Sequence, residues 1–116
     1  MQYDAAHALA RAIRESEEYQ LYHSLKEKVM ENETNAALIR EYRKLQLRLQ
    51  MAAAAGQTPD AEDMQRFQGI NTVLFAQSEV SQYLLAEMRL YQAMADIFRI
   101  ISDAAEIDMS VPGAEG

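Results

Sequence analysis

Apolar positions recur along this chain at alternating steps of four and three, and the longest such run predicts its principal helix. From Ser78 to about Ala105, the positions Val80, Leu84, Glu87, Tyr91, Met94, Phe98 and Ile101 form a seven-residue repeat. That spacing keeps one seam of a helix turned toward a neighbour. Tyr83, Leu90 and Ile97 lie beside the seam and widen the face. No Gly or Pro interrupts the stretch, so it predicts a helix of about 40 Å at a rise of about 1.5 Å per residue. Such a face needs a cover, either from other helices or from a second copy of the chain.

A second four-three seam, Leu38, Tyr42, Leu45, Leu49 and Ala52, is flanked by Ile39 and Gln46 and predicts a helix running to Ala55. Gly56 follows as its left-handed C-terminal cap. Thr58 is expected to cap the next helix, with Pro59 in its first position and Asp60, Glu62 and Asp63 in its first turn, where carboxylates meet the positive end of the dipole. Met64, Phe67, Asn71 and Leu74, with Ile70 and Phe75 beside them, supply the buried face. Gly69 lies inside this helix and costs about 1 kcal/mol against Ala, which close backbone packing would justify.

Upstream, Asp4 starts a first helix in which Ala6, Leu9, Ala10 and Ile13 recur. A break is expected at Ser16, the alternative being one helix that runs straight through, and Ser16 then caps a second helix opened by Glu17 and Glu18. That helix, to about Met30, presents Tyr19, Tyr22, Leu25 or Lys26, and Val29, and Glu31 to Thr34 reads as a turn. The fold expected is all-α, with four to five helices in a mostly antiparallel bundle and a long C-terminal helix. Residues 1–107 form a single domain in this reading, and residues 108–116 lose periodicity and are expected to be disordered.

Composition narrows the chemistry. The chain has 116 residues, 49% of them hydrophobic, which fits one globular domain. It has no cysteine, which removes disulfides, thiolate metal sites and cysteine nucleophiles. No apolar run is long enough for a membrane span, and the N-terminus lacks a secretory pattern, so a cytoplasmic protein is expected. Eleven basic against 18 acidic residues give a net charge of −7, which disfavours non-specific contact with nucleic acid or anionic lipid.

Several residues invite functional readings. His7 and His23 are the two histidines, and Asp4 and Gln20, not Glu, stand three positions before them, so no di-iron pattern of Glu-x-x-His pairs exists. Glu87 occupies a seam position between Tyr83 and Tyr91. It reads as a general acid or a partner anchor, or, more plainly, as a structural carboxylate satisfied by tyrosine hydroxyls or an arginine. With those tyrosines it also motivates a small-ligand site inside the bundle. Arg40, Arg43, Lys44 and Arg48 share one helical face, which Lys26 and Lys28 extend if the second and third helices form a hairpin. This stripe suits RNA or an acidic partner, against the plainer reading of a solvated face paired with Glu41. No aromatic interleaves it as a stacking platform. The seven methionines and six tyrosines are core and interface residues first. Serine-nucleophile patterns and phosphate-binding glycine loops are absent, so neither an enzyme nor a cofactor is expected.

The ordered motifs resemble a known family. Glu15-Ser16-Glu17-Glu18-Tyr19 is similar to the S-E-E-Y/F element of the YlbF/YmcA/YheA family of small bacterial helical proteins. Leu45-Gln46-Leu47-Arg48-Leu49-Gln50, then Gly56 and a capped acidic helix start, resembles its middle. Val80, Tyr83-Leu84, Ala86-Glu87, Arg89-Leu90, Asp96-Ile97 and Ile100-Ile101 resemble its final helix. The likeness runs from Ala5 to Ile101. It implies an all-helical cytoplasmic adaptor without enzymatic activity. In Gram-positive bacteria, two branches of the family join a third protein in a complex that supports competence, sporulation and biofilm formation and modulates a membrane-anchored endoribonuclease that matures messenger RNAs. Iron–sulfur clusters go with cysteine-bearing branches and do not carry over to this cysteine-free chain, which resembles the YheA-like branch. Where the family often places proline at helix starts, Thr34 and Glu79 stand here.

The expectation is therefore a non-enzymatic interaction protein, homo-oligomeric and most simply dimeric, with protein partners in an RNA-processing or developmental complex. Its self-association seam would comprise Leu38, Tyr42, Leu45, Leu49, Val80, Leu84, Tyr91, Met94 and Phe98. Arg40, Arg43, Lys44, Arg48 and Glu87 are the candidate interaction residues. The alternative is an RNA-contacting protein using the basic stripe.

Overall fold

The computed structural model describes residues 1–107, so the tail expected to be disordered lies outside the described residues. Five helices follow in order: α1 (Asp4–Glu15), α2 (Glu17–Glu31), α3 (Glu33–Ala54), α4 (Ala61–Phe75) and α5 (Ser78–Ala105). No strand occurs among the described residues. The 28 residues of α5 extend about 42 Å, as the uninterrupted seam predicts.

Local chemistry sets the boundaries. The break expected at Ser16 is present: its Oγ accepts the Tyr19 amide at 3.2 Å, while its hydroxyl donates to the Ile13 carbonyl. One side chain thus closes α1 and opens α2. The Asn32 side chain caps α3 by accepting the Asn35 amide at 3.0 Å. Gly56 takes φ +71° beyond α3. Its amide reaches Ala53 O at 3.1 Å and the Gln57 amide reaches Ala52 O at 2.9 Å, the paired closure of a Schellman turn.

The start of α4 departs from expectation. Asp60, not Thr58, is the cap, and its Oδ1 accepts the Glu62 amide at 2.8 Å. A carboxylate at the positive helix end binds that amide with its full charge, which a threonine hydroxyl lacks. Pro59 consequently precedes the cap instead of occupying the first helical turn.

The described residues sort into two compact units, and α5 contributes to both: residues 23–84 make one, and residues 1–22 with residues 85–107 make the other. In the first unit α3 and α4 form an antiparallel hairpin. Arg48 meets Asp63, Tyr42 stacks on Phe67 at 4.9 Å, and Glu41 meets Arg66, so partner numbers generally fall on α4 as they rise on α3. The start of α5 runs parallel to α3, with Asn35 bonded to Gln77 and Arg43 to Tyr83. Leu25 and Val29 of α2, Ala36, Ile39 and Leu45 of α3, Leu74 of α4, and Val80, Tyr83 and Leu84 of α5 are buried here. Leu25, not Lys26, is therefore the inward residue of α2. Met64 and Phe75, expected on the inner face of α4, are exposed. Gly69 faces open space, with no atom within 4 Å of an added Cβ, so close packing does not account for it.

In the second unit α1 has no fully buried residue. Leu9 and Ile13 are half-buried, and Ala6 and Ala10 are exposed. Leu9 and Ile13 share with Leu90, Ala93, Met94 and Ile97 of α5 the walls of a shallow groove of about 230 Å³.

Candidate interaction surface

Helix α3 carries the basic stripe, and the hairpin splits it. Arg43 is half-buried and its Nη2 donates to the Tyr83 hydroxyl oxygen at 3.0 Å. Tyr83 is fully buried, so this arginine belongs to the α3–α5 contact. Arg48 turns toward α4 and meets Asp63 Oδ1 at 3.3 Å. Arg40 and Lys44 remain exposed, and neither reaches a carboxylate among the described residues. Lys26 and Lys28 are exposed on α2. The four cations that share a face by spacing thus divide into Arg43, which serves the α3–α5 contact, Arg48, which serves the hairpin, and two that reach no carboxylate among the described residues.

The two apolar seams also divide. On α3, Leu45 is buried, Leu38 and Leu49 are half-buried, and half-buried Tyr42 lies against Phe67. All four are used, wholly or partly, inside the chain. On α5, Val80 and Leu84 are buried in the residue 23–84 unit. Further along the same seam, Tyr91, Met94, Phe98 and Ile101 keep between 36% and 63% of their surface in solvent. Met88 extends this exposed strip toward the N-terminus. On the opposite face of α5, Asp96 Oδ1 accepts from Gln92 at 3.0 Å and from Arg99 at 2.8 Å.

Glu87 is half-buried on α5 and is not a free carboxylate. His23 sits 3.1 Å from Glu27 one turn on, with both exposed, and His7 is exposed on α1. Among the described residues no group of three or more His, Asp or Glu side chains is placed to hold a metal ion. No helix among them is long and apolar enough to cross a membrane.

Spacing alone does not reveal one pair. Leu47 and Met51 of α3 are exposed and continue the line of Arg40 and Lys44. The signal in the sequence was a run of four-three steps that mixes charged with apolar positions, which neither a charge search nor an apolar search isolates.

Residues 2–106 match the family model described as "Control of competence regulator ComK, YlbF/YmcA". A UPF0342 protein of Halothermothrix orenii is 35% identical over 93% of this chain and 92% of its own length. Another, of Symbiobacterium thermophilum, is 32% identical over 92% of this chain and 96% of its own. Among solved structures, a "Protein of Unknown Function (DUF964)" from Bacillus stearothermophilus superposes with a TM-score of 0.71. It covers 90% of this chain and 91% of that one at 22% identity, and it supports the fold.

Proposed function

This chain belongs to the YlbF/YmcA family, and we propose that it is a non-enzymatic regulatory adaptor that self-associates and works through protein surfaces. The observation that carries the reading is the exposed half of the α5 seam, Tyr91, Met94, Phe98 and Ile101. A heptad-spaced apolar strip left in water is a surface for another helix. The family description, control of a competence regulator, supports a regulatory role, and the roles implied by the resemblance in competence, sporulation, biofilm formation and messenger RNA maturation set its context.

Magnitudes decide how strong the self-association is. Covering four half-exposed side chains stabilises an assembly by on the order of 5 kcal/mol. Association costs about 4–15 kcal/mol in lost freedom. The strip alone therefore supports a weak, concentration-dependent oligomer, and a wider contact makes a firm one. Light scattering across a concentration series tests this, with the Met94→Glu/Phe98→Glu double variant beside the unaltered protein. An increase in mass with concentration, abolished in the variant, is expected; an unaltered protein that stays monomeric throughout would rule self-association out. Affinity capture from native lysate, with and without nuclease, tests the adaptor role, which requires a protein partner that survives nuclease treatment.

A further inference from the structure

Arg40, Lys44, Leu47 and Met51 follow one another on α3 at steps of four, three and four. On a helix these positions fall within an arc of about 60° and extend about 16 Å along the axis. The strip points away from Leu45, which is fully buried, and Leu47 and Met51 are 57% and 63% exposed. Arg43 and Arg48 leave this face for Tyr83 and Asp63. Two cations that reach no carboxylate among the described residues thus lie at one end, and two uncovered apolar side chains at the other.

We propose that this strip is a docking surface for an acidic amphipathic helix of a partner protein, with carboxylates set over Arg40 and Lys44 and apolar side chains over Leu47 and Met51. The proposal rests on the adaptor reading and supplies the chemistry of its partner. A seam with four-three-four steps is followed in register by a second helix, because the two share a repeat. Charge complementarity selects an acidic one: two exposed cations on a chain of net charge −7 attract a carboxylate-bearing segment locally and steer its approach. The apolar half of the strip separates this from an RNA site. Leu47 and Met51 offer no ring on which a base stacks, whereas they suit the apolar face of an amphipathic helix.

Fluorescence anisotropy with a labelled helical peptide of about 15 residues, bearing Glu at two successive seam positions and Leu at the next two, tests the proposal. A control peptide carries Lys in place of the two Glu. The acidic peptide is expected to bind and to weaken with salt. Arg40→Glu/Lys44→Glu is expected to weaken it about tenfold and to bind the Lys peptide instead. Leu47→Ser/Met51→Ser is expected to weaken both. All these positions are exposed, so the variants keep the unaltered circular dichroism and melting curve. A flat titration of the acidic peptide, equal affinity for both peptides, or indifference to the charge reversal would overturn the inference. So would preferential binding of a single-stranded RNA oligonucleotide that the same reversal abolishes. Light scattering on the same samples reads self-association separately, so failure of either idea is distinguishable from failure of the other.

Discussion

Asn35 and Gln77 clasp each other through both amide groups. Asn35 Nδ2 donates to Gln77 Oε1 and Gln77 Nε2 donates to Asn35 Oδ1, each at 2.9 Å. Asn35 is buried in the first turn of α3 and Gln77 stands immediately before α5. The pair thus fixes where α5 begins relative to α3, and among the described residues no buried side-chain polar atom is left without a partner. Gln77→Ala strands a buried amide and is expected to cost about 1–3 kcal/mol, read as a lower urea midpoint. The Asn35→Leu/Gln77→Leu double variant removes both polar groups and is expected to recover part of that loss.

Leu45 and Leu47 are two residues apart on α3, one with no exposed surface and one more than half exposed. Leu45→Ala leaves a cavity in the core of the residue 23–84 unit and is expected to cost about 2–5 kcal/mol. Leu47→Ala is expected to change stability by less than about 0.5 kcal/mol. Parallel chemical denaturation of the two variants makes the comparison. Similar losses would contradict the placement of α3 in the hairpin.

The two helix-associated glycines carry opposite expectations. Gly69 sits in mid-helix with open space around it, so Gly69→Ala is expected to stabilise by about 1 kcal/mol. Gly56 has φ +71°, a conformation that costs a side-chain-bearing residue roughly 1–2 kcal/mol. Gly56→Ala is therefore expected to lower the melting temperature, and Gly69→Ala to raise it.

Position along the α5 seam predicts which substitutions act on folding and which on assembly. Leu84 is buried, whereas Phe98 keeps about a third of its surface in solvent. Leu84→Glu places an unpaired charge in the core and is expected to unfold the residue 23–84 unit. Phe98→Glu is expected to leave helicity intact and to lower the mass seen in light scattering. Loss of helicity in both, measured by circular dichroism, would mean that the distal seam is part of the fold.

Much of the fold was legible in the residues because helix boundaries are local. Ser16 and Gly56 act on amides and carbonyls within five positions, and uninterrupted apolar spacing was enough to define α5. The cap before α4 failed for a local reason too, since Thr58 and Asp60 were both eligible and the carboxylate won. Gly69 could not be interpreted from sequence, because the open space around it belongs to the tertiary arrangement.

What the sequence determined by itself is an all-α chain of four to five helices, most of their boundaries, the heptad-spaced faces of α3 and α5, and the family that their order resembles. Only the tertiary structure decided what those faces meet. A heptad repeat specifies a direction around a helix axis but not the partner found there, so Leu84 and Phe98 are equivalent in the sequence and different in the molecule. For the same reason Arg43 turns to a buried tyrosine and Arg48 to an aspartate, while Arg40 and Lys44 are left with Leu47 and Met51 in solvent. Burial depends on residues distant in sequence, such as the 40 positions between Arg43 and Tyr83, and no local spacing encodes it.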